Sequence, residues 1–354
     1  VRAAAHAAAG GFGRLDVAFN NAGLEQPVKP LTDITEEEWD RVVGLERRPH
    51  LHKAAAWRLL PAGPSRTLPR RQGRPYAAVV APTEQEITLR TLDGLHLAGT
   101  VVTPAGPSRH AVVLVHGGGV TREEGGFFTR LARGLSEFGL ASLRFDLRGH
   151  GESEGRQEEL TLAAILNDIR VALRHLRDVT GAQELSLVGT SFTGGVTAYY
   201  AAKCPDEVSR LVLLNPRLDY KERTVDSRPF WQDDHLTEEA AAQLRAQGYL
   251  FHSPTLKHGR AIYNEVFWLR PHEALGEVAA PTLIVHGTKD TFVPVEASRA
   301  AVSQFRAPCR LVEIDGAQHG FAVHDDPQYL DPQSQEWQAF VIRTVAGWLT
   351  NENR

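Results

Sequence analysis

The chain is poor in the residues that would tie it to several common classes of protein. Of its 354 residues only Cys204 and Cys309 are cysteines, and there is no methionine. Two cysteines at unrelated positions make neither a disulfide framework nor a metal cluster, and they favour a reduced, cytoplasmic setting. No spacing of histidines or carboxylates suggests a metal site, and no cofactor is expected. No run of about 18 apolar residues exists, so no membrane-spanning helix is expected. The alanine-rich start, Val1 to His6, lacks a sustained apolar stretch and does not read as a signal peptide. Charge of one sign is scarce as well. Lys and Arg total 39 against 43 Asp and Glu, a net charge of −4 that leaves no electrostatic footprint for nucleic acid.

What is present is an ordinary globular composition, 42% hydrophobic and 23% charged, enough to bury a sizeable core. It is unevenly distributed. Residues 1–46 look like a piece of one fold. Residues 47–82 hold Arg47-Arg48-Pro49, Pro61-Ala62-Gly63-Pro64 and the run Pro69 to Pro75, too rich in Pro, Gly and Arg to offset the entropy of ordering. They read as a linker with a solvated positive charge.

Residues 83–354 alternate strand and helix signals. Glu86–Thr91 and Leu95–Thr103 flank Asp93-Gly94, a hairpin signal. Ala111–Val115 is a short, wholly apolar run, as expected of a strand buried on both faces. Helical spacing follows over Phe127–Phe138, and Ala141–Phe145 reads as a strand. Leu160–Val179 is a long amphipathic helix. Further strand signals lie at Leu185–Val188, Leu211–Leu214, Thr282–Val285 and Arg310–Ile314, with helices over Gly195–Lys203, Val295–Phe305 and Gln333–Leu349. Such alternation predicts an α/β domain with a mostly parallel sheet covered by helices on both faces, the opening hairpin adding an antiparallel edge. Roughly 65 residues separate Leu214 from Thr282, too many for a simple crossover. This stretch, about 216–278, is read as a cap inserted over the carboxyl edge of the sheet. It has a helix signal at Thr237–Gln247 and is rich in aromatics. Phe230, Trp231, Phe267 and Trp268 are its candidates for lining a substrate pocket, set against a role in the cap's own small core.

Chemistry concentrates at four strand ends. In Leu187-Val188-Gly189-Thr190-Ser191-Phe192-Thr193-Gly194-Gly195 an apolar strand runs into a serine among small residues, and a helix follows. A sharp strand-to-helix turn excludes bulky neighbours and lifts the serine hydroxyl above the sheet edge, and the helix N-terminus favours an anion there. Val115-His116-Gly117-Gly118-Gly119 also follows a buried strand, and its glycines let backbone N–H groups approach a ligand. Asp290 follows the strand that ends in Val285-His286-Gly287, and His319 follows the strand that ends at Ile314-Asp315. A serine nucleophile needs a base to take its proton and an acid to orient that base.

These motifs resemble the α/β-hydrolase family over about Glu84 to Leu349, with Thr193 standing where the usual Gly-x-Ser-x-Gly pattern ends in glycine. The order Ser191, Asp290, His319 matches the family's order of nucleophile, acid and base. The resemblance implies Ser191 as nucleophile, His319 as general base and Asp290 as triad acid, with Asp315 the runner-up acid. It also implies the N–H groups of Gly118 and Phe192 as oxyanion donors. The loop Asp146-Leu147-Arg148-Gly149-His150-Gly151-Glu152-Ser153 looks structural in the family. With the moderate cap, it is similar to the cinnamoyl-esterase and serine-aminopeptidase-like branch, which mostly hydrolyses carboxylic esters. His116 and His286, at strand ends beside glycines, are expected to bond to backbone.

The amino terminus carries a different resemblance. Leu15 to Gly23, with Asn20-Asn21-Ala22-Gly23, and Asp33 to Asp40 resemble the middle of a short-chain dehydrogenase/reductase. Such an enzyme also needs a Gly-rich turn after its first strand, which is missing. Tyr199-Tyr200-Ala201-Ala202-Lys203 meets the Tyr-x-x-x-Lys spacing only on the helix after Ser191. The segment reads as a fragment without a cofactor site. The function expected is therefore a serine hydrolase acting on a small-molecule ester, with no nucleic-acid partner. The alternatives are a peptidase, thioesterase or lactonase on the same triad, a non-catalytic module on the same scaffold, or a dehydrogenase.

Overall fold

A computed structural model of the chain describes residues 82–324, 326 and 328–350. The fragment expected over residues 1–46 lies outside the described residues, as does all but the last residue of the linker expected over 47–82.

Strands β1 (Thr83–Arg90) and β2 (His96–Thr103) form the expected hairpin, with Gly94 at its turn at a φ of 95°. There follow β3 (His110–Val115), helix α1 (Phe127–Glu137), β4 (Ala141–Phe145), α2 (Leu162–Thr180), β5 (Glu184–Thr190), α3 (Phe192–Lys203) and β6 (Arg210–Leu214). An insertion then holds the short hairpin β7 (Trp231–Gln232) and β8 (His235–Leu236), α4 (Glu238–Gln247), a second hairpin of β9 (Tyr249–Ser253) and β10 (Leu256–Gly259), and α5 (Arg260–Glu265). The chain returns through β11 (Thr282–Gly287), α6 (Val295–Val302), β12 (Cys309–Ile314) and α7 (Pro332–Thr350). Helix α6 stops short of the Phe305 expected from sequence.

Eight strands make one sheet in the order β1-β2-β4-β3-β5-β6-β11-β12. The β1–β2 and β2–β4 pairs are antiparallel and the rest parallel. The continuous apolar strands make sense of this. Side chains alternate across a strand, so a strand covered on both faces must be apolar throughout. In β3, Ala111, Val113 and Val115 enter a core shared with α2 and α3, while Val112 and Leu114 enter a second core under α1 and α7. Strand β6 divides in the same way, Leu211 and Leu213 against Val212 and Leu214. Burying such an aliphatic side chain contributes roughly 1.5–3 kcal/mol each.

Local chemistry sets the helix ends. The Thr161 side chain accepts the Ala164 N–H at 3.0 Å to cap α2, and Gly181 closes it in the left-handed conformation, φ 67°. The loop after β4 is held by buried charge. Arg148, 7% exposed, makes paired hydrogen bonds to Asp168, at 2.8 and 2.7 Å, and to Asp93, at 2.8 and 3.1 Å. The cap has a small core of its own, built from Ala240, Leu244, Leu250 and Tyr263, with Phe230 and Trp231 packed on it.

Because β3 lies between β4 and β5, the strand order reverses there. The connections after β3 and β5 leave for opposite faces, and a crevice opens between them at the carboxyl edge of the sheet.

Candidate active site

Ser191 stands at that crevice, between β5 and α3, at φ 49° and ψ −117°. A β-carbon in this region is strained, and the strain persists only where surrounding bonds over-determine the turn. The Ser191 N–H donates to the Leu214 carbonyl at 2.9 Å, and its own carbonyl accepts from the N–H of Gly194 at 3.1 Å and of Arg217 at 2.8 Å. Thr193, where the family pattern has glycine, is fully buried and its hydroxyl donates to the Val115 carbonyl at 2.8 Å, tying the elbow to β3. The residue that must be glycine is the next one. A β-carbon on Gly194 would lie 2.5 Å from Pro216 Cβ and 2.8 Å from its Cα.

Three strand ends bring the predicted polar groups together. His319 Nε2 lies 2.9 Å from Ser191 Oγ, and His319 Nδ1 lies 2.6 Å from Asp290 Oδ2. A neutral imidazole held in this way donates from Nδ1 to the carboxylate and presents Nε2 as an acceptor to the serine hydroxyl. The carboxylate of Asp290 is fully buried, and its Oδ1 accepts the N–H groups of Phe292 at 2.8 Å and Val293 at 2.9 Å. Burial alone would raise the pKa of Asp290. The charge of His319 and hydrogen bonds from His286, His319 and the Val293 N–H outweigh it, holding the carboxyl well below its usual range. Asp315 is exposed and bonded to the Thr288 hydroxyl at 3.1 Å, so the arrangement selects Asp290.

His286 does more than bond to backbone. Its Nε2 lies 2.8 Å from the Val293 carbonyl and 3.4 Å from Asp290 Oδ2, and its Nδ1 accepts from Ser298 at 2.7 Å. It thus braces the acid loop from behind. His116 bonds to the Gly117 carbonyl at 2.7 Å and accepts the Leu147 N–H at 2.9 Å, and burial beside His150 pushes its pKa down to about 3. His150 accepts the Gly119 N–H at 3.2 Å, so the loop after β4 fixes the glycine loop after β3.

That glycine loop lies against the elbow. A β-carbon on Gly117 would sit 3.4 Å from Ser191 Cβ, and one on Gly118 would sit 3.2 Å from Phe192 Cβ. The Phe192 N–H is the first of α3 and has no partner within the helix. Sequence reasoning passed over Glu124. This half-buried carboxylate accepts the Gly117 N–H at 2.8 Å. Burial raises its pKa to about 7, against the Gly117 N–H and the charge of His319, which both favour the ionised form. No spacing rule marks it, since Arg122-Glu123-Glu124 reads as a solvated charge run.

The aromatic candidates divide. Trp231 stacks edge-on with Tyr263 and Phe267, ring centroids 5.6 and 6.0 Å apart, and Phe230 packs with it on the cap core. Trp268 is 89% exposed. It lines an open depression with Tyr199, Asn264, Glu265 and Leu269, among which no triad residue occurs. Trp268 lies in the turn after α5, with its side chain turned to solvent. Phe292 was not foreseen, and its ring packs on His319 at 5.2 Å.

A family model described as "Serine aminopeptidase, S33" matches residues 106–255. The chain is 25% identical to a monoacylglycerol lipase of Mycolicibacterium smegmatis, over 77% of this chain and 99% of the lipase. Among solved structures it superposes on Est1E of Butyrivibrio proteoclasticus with ferulic acid bound, at a TM-score of 0.60 and 25% identity, covering 73% of this chain and 99% of Est1E. This protein has the α/β-hydrolase fold. The monoacylglycerol lipase of Paleococcus ferrophilus shares that hydrolase fold at a TM-score of 0.53 and 23% identity, covering 72% of this chain and 98% of the lipase. Among the described residues no helix of the hydrolase is long and apolar enough to cross a membrane, and no group of three or more His, Cys, Asp or Glu is placed to hold a metal ion. Both Cys204 and Cys309 are free.

Proposed function

We propose that this protein is a serine hydrolase that cleaves carboxylic esters through an acyl-enzyme on Ser191. The observation that carries the reading is the continuous chain Asp290–His319–Ser191, with contacts of 2.6 and 2.9 Å. The similarity to a monoacylglycerol lipase and to an esterase holding ferulic acid supports the ester as substrate. His319 takes the serine proton as Oγ attacks the ester carbonyl. The N–H groups of Gly118 and Phe192 receive the developing oxyanion, each such donor contributing about 3 kcal/mol to barrier lowering. His319 then protonates the departing alcohol and, in the second half, activates the water that releases the acid. Asp290 keeps the imidazole in the required tautomer throughout.

Fluorophosphonate labelling with mapping of the modified residue tests this. Modification of Ser191, lost in both Ser191→Ala and His319→Ala, is expected, and Ser191→Ala is expected to lose turnover of p-nitrophenyl esters with its fold unchanged. Turnover retained by Ser191→Ala would refute the mechanism. Peptides, thioesters and lactones could react at the same triad, and a parallel series of anilides, thioesters and lactones reads out that choice directly.

A further inference from the structure

The cap holds three arginines close to the nucleophile that the proposed chemistry does not use. Arg217 is anchored on both sides of the site: its N–H donates to the Ser191 carbonyl at 2.8 Å, and its guanidinium donates to the Phe292 carbonyl at 2.9 Å. Arg228 donates to the His252 carbonyl at 2.9 Å and lies 3.2 Å from the His252 ring nitrogens. Arg223 has a buried Nε with no partner. Arg228 meets His252 directly, its Nε donates to the Arg223 carbonyl at 3.0 Å, and the positive charges of all three lower the pKa of that imidazole after burial and His258. His252 in turn stacks on His258 at 4.3 Å, and His258 lies 6.1 Å from the ring of Phe192, the residue after the nucleophile.

This cluster is short of negative charge. No carboxylate forms an ion pair with Arg217, Arg223 or Arg228 among the described residues. Glu222, exposed, and Asp290, already committed to His319, are the carboxylates that act on Arg217, beside the Tyr220 hydroxyl, and Arg228 is influenced by the Tyr263 hydroxyl and then by Glu222. Burial, then repulsion from Arg223, lowers the pKa of both Arg217 and Arg228, that of Arg217 to about 10. Desolvated like charges without a counter-ion are costly. A second observation is independent of charge. His258 is 1% exposed with both ring nitrogens unpartnered, and Tyr263 is 4% exposed with an unpartnered hydroxyl. A buried polar atom that nothing meets is destabilising. Arginines without a carboxylate partner, and buried polar groups without a hydrogen bond, gather in the segment whose His258 packs near Phe192, and together they suit an anion.

We propose that the cap arginines Arg217, Arg223 and Arg228 bind an anionic group carried by the substrate, so that the preferred ester bears a carboxylate or a phosphate. This rests on the serine-hydrolase reading above and narrows its substrate class. Guanidinium groups match the geometry of both anions and bind them by charge-assisted hydrogen bonds. The neutral imidazole of His258 and the Tyr263 hydroxyl, both without a hydrogen-bond partner, are further donors in the same segment.

The test compares p-nitrophenyl hemiglutarate with its neutral counterpart of similar length, p-nitrophenyl valerate. The wild-type enzyme is expected to favour the anionic ester in kcat/KM by roughly tenfold or more. Arg223→Gln and Arg228→Gln are each expected to lower the ratio of the two kcat/KM values by about tenfold. The Arg223 side chain makes no hydrogen bond among the described residues, so its removal strands no partner there and the variant is expected to fold. Added salt should lower the same ratio. Competitive inhibition by glutarate against phenyl phosphate distinguishes a carboxylate site from a phosphate site. A wild-type ratio at or below one, or a ratio that neither arginine variant moves, overturns the proposal. If Ser191 takes no fluorophosphonate label, the hydrolase reading fails instead. Glutarate and inorganic phosphate binding, measured by calorimetry on wild type and Arg223→Gln, then still decides the anion site.

Discussion

Replacing Glu124 with glutamine tests whether a half-buried acid beside the glycine loop titrates near neutral pH. In the folded protein burial raises its pKa from 4.5 to about 7, although the Gly117 N–H and the charge of His319 pull the other way. The folded state therefore favours the protonated acid. Below the unfolded value both states hold the proton and the group costs nothing. As pH rises from about 4.5 the unfolded chain ionises first, and stability falls until the folded carboxyl has ionised as well, above about 7. The displacement corresponds to about 3 kcal/mol when complete. Glutamine keeps an acceptor for the Gly117 N–H and has no charge to desolvate. The gap in unfolding free energy between Glu124→Gln and wild type should therefore widen by about 2–3 kcal/mol between pH 5 and pH 8.5, in favour of the variant. Urea unfolding followed by tryptophan fluorescence at the two pH values measures it. A gap that stays constant across that range would show that Glu124 ionises as an ordinary surface acid and would refute the reasoning.

Other residues give outcomes of different kinds. Asp290→Asn removes the acceptor that fixes the His319 tautomer, so kcat on a p-nitrophenyl ester should fall by about 10⁴-fold with little change in KM. An unchanged kcat would assign the acid elsewhere. Gly194→Ala forces a β-carbon against Pro216, 2.5 Å from its Cβ, and should destabilise the fold by about 1–3 kcal/mol in urea unfolding and slow fluorophosphonate labelling of Ser191. Arg148→Ala strands the fully buried Asp168 without its partner, a loss of about 3–5 kcal/mol, which thermal unfolding would detect.

How much of this was legible in the sequence follows from how local each signal is. The wholly apolar run of β3 read as a strand covered on both faces, because such a strand must be apolar throughout. The small residues around Ser191 had to be a tight turn, because a turn excludes bulk. The order of Ser191, Asp290 and His319 could be read by resemblance. Glu124, Phe292 and the brace of His286 on Asp290 could not, because each acts across the fold on residues far away in sequence. Thr193 was similar: a departure from a pattern in the sequence, and in three dimensions a hydrogen bond to β3. Trp268 differs in the opposite sense, because aromatic character does not say whether a turn leaves its side chain in solvent.

The sequence by itself determined the layered α/β architecture and the set of polar groups at the strand ends, since periodicity and turn chemistry are properties of neighbouring residues. Only the tertiary structure decided that Asp290 rather than Asp315 meets His319, that Glu124 bonds to the glycine loop, and that Arg228 meets His252 within the cap. Those outcomes depend on burial, on distance and on which charges face one another, and such quantities exist only once separate strands and the cap are brought to one edge of the sheet.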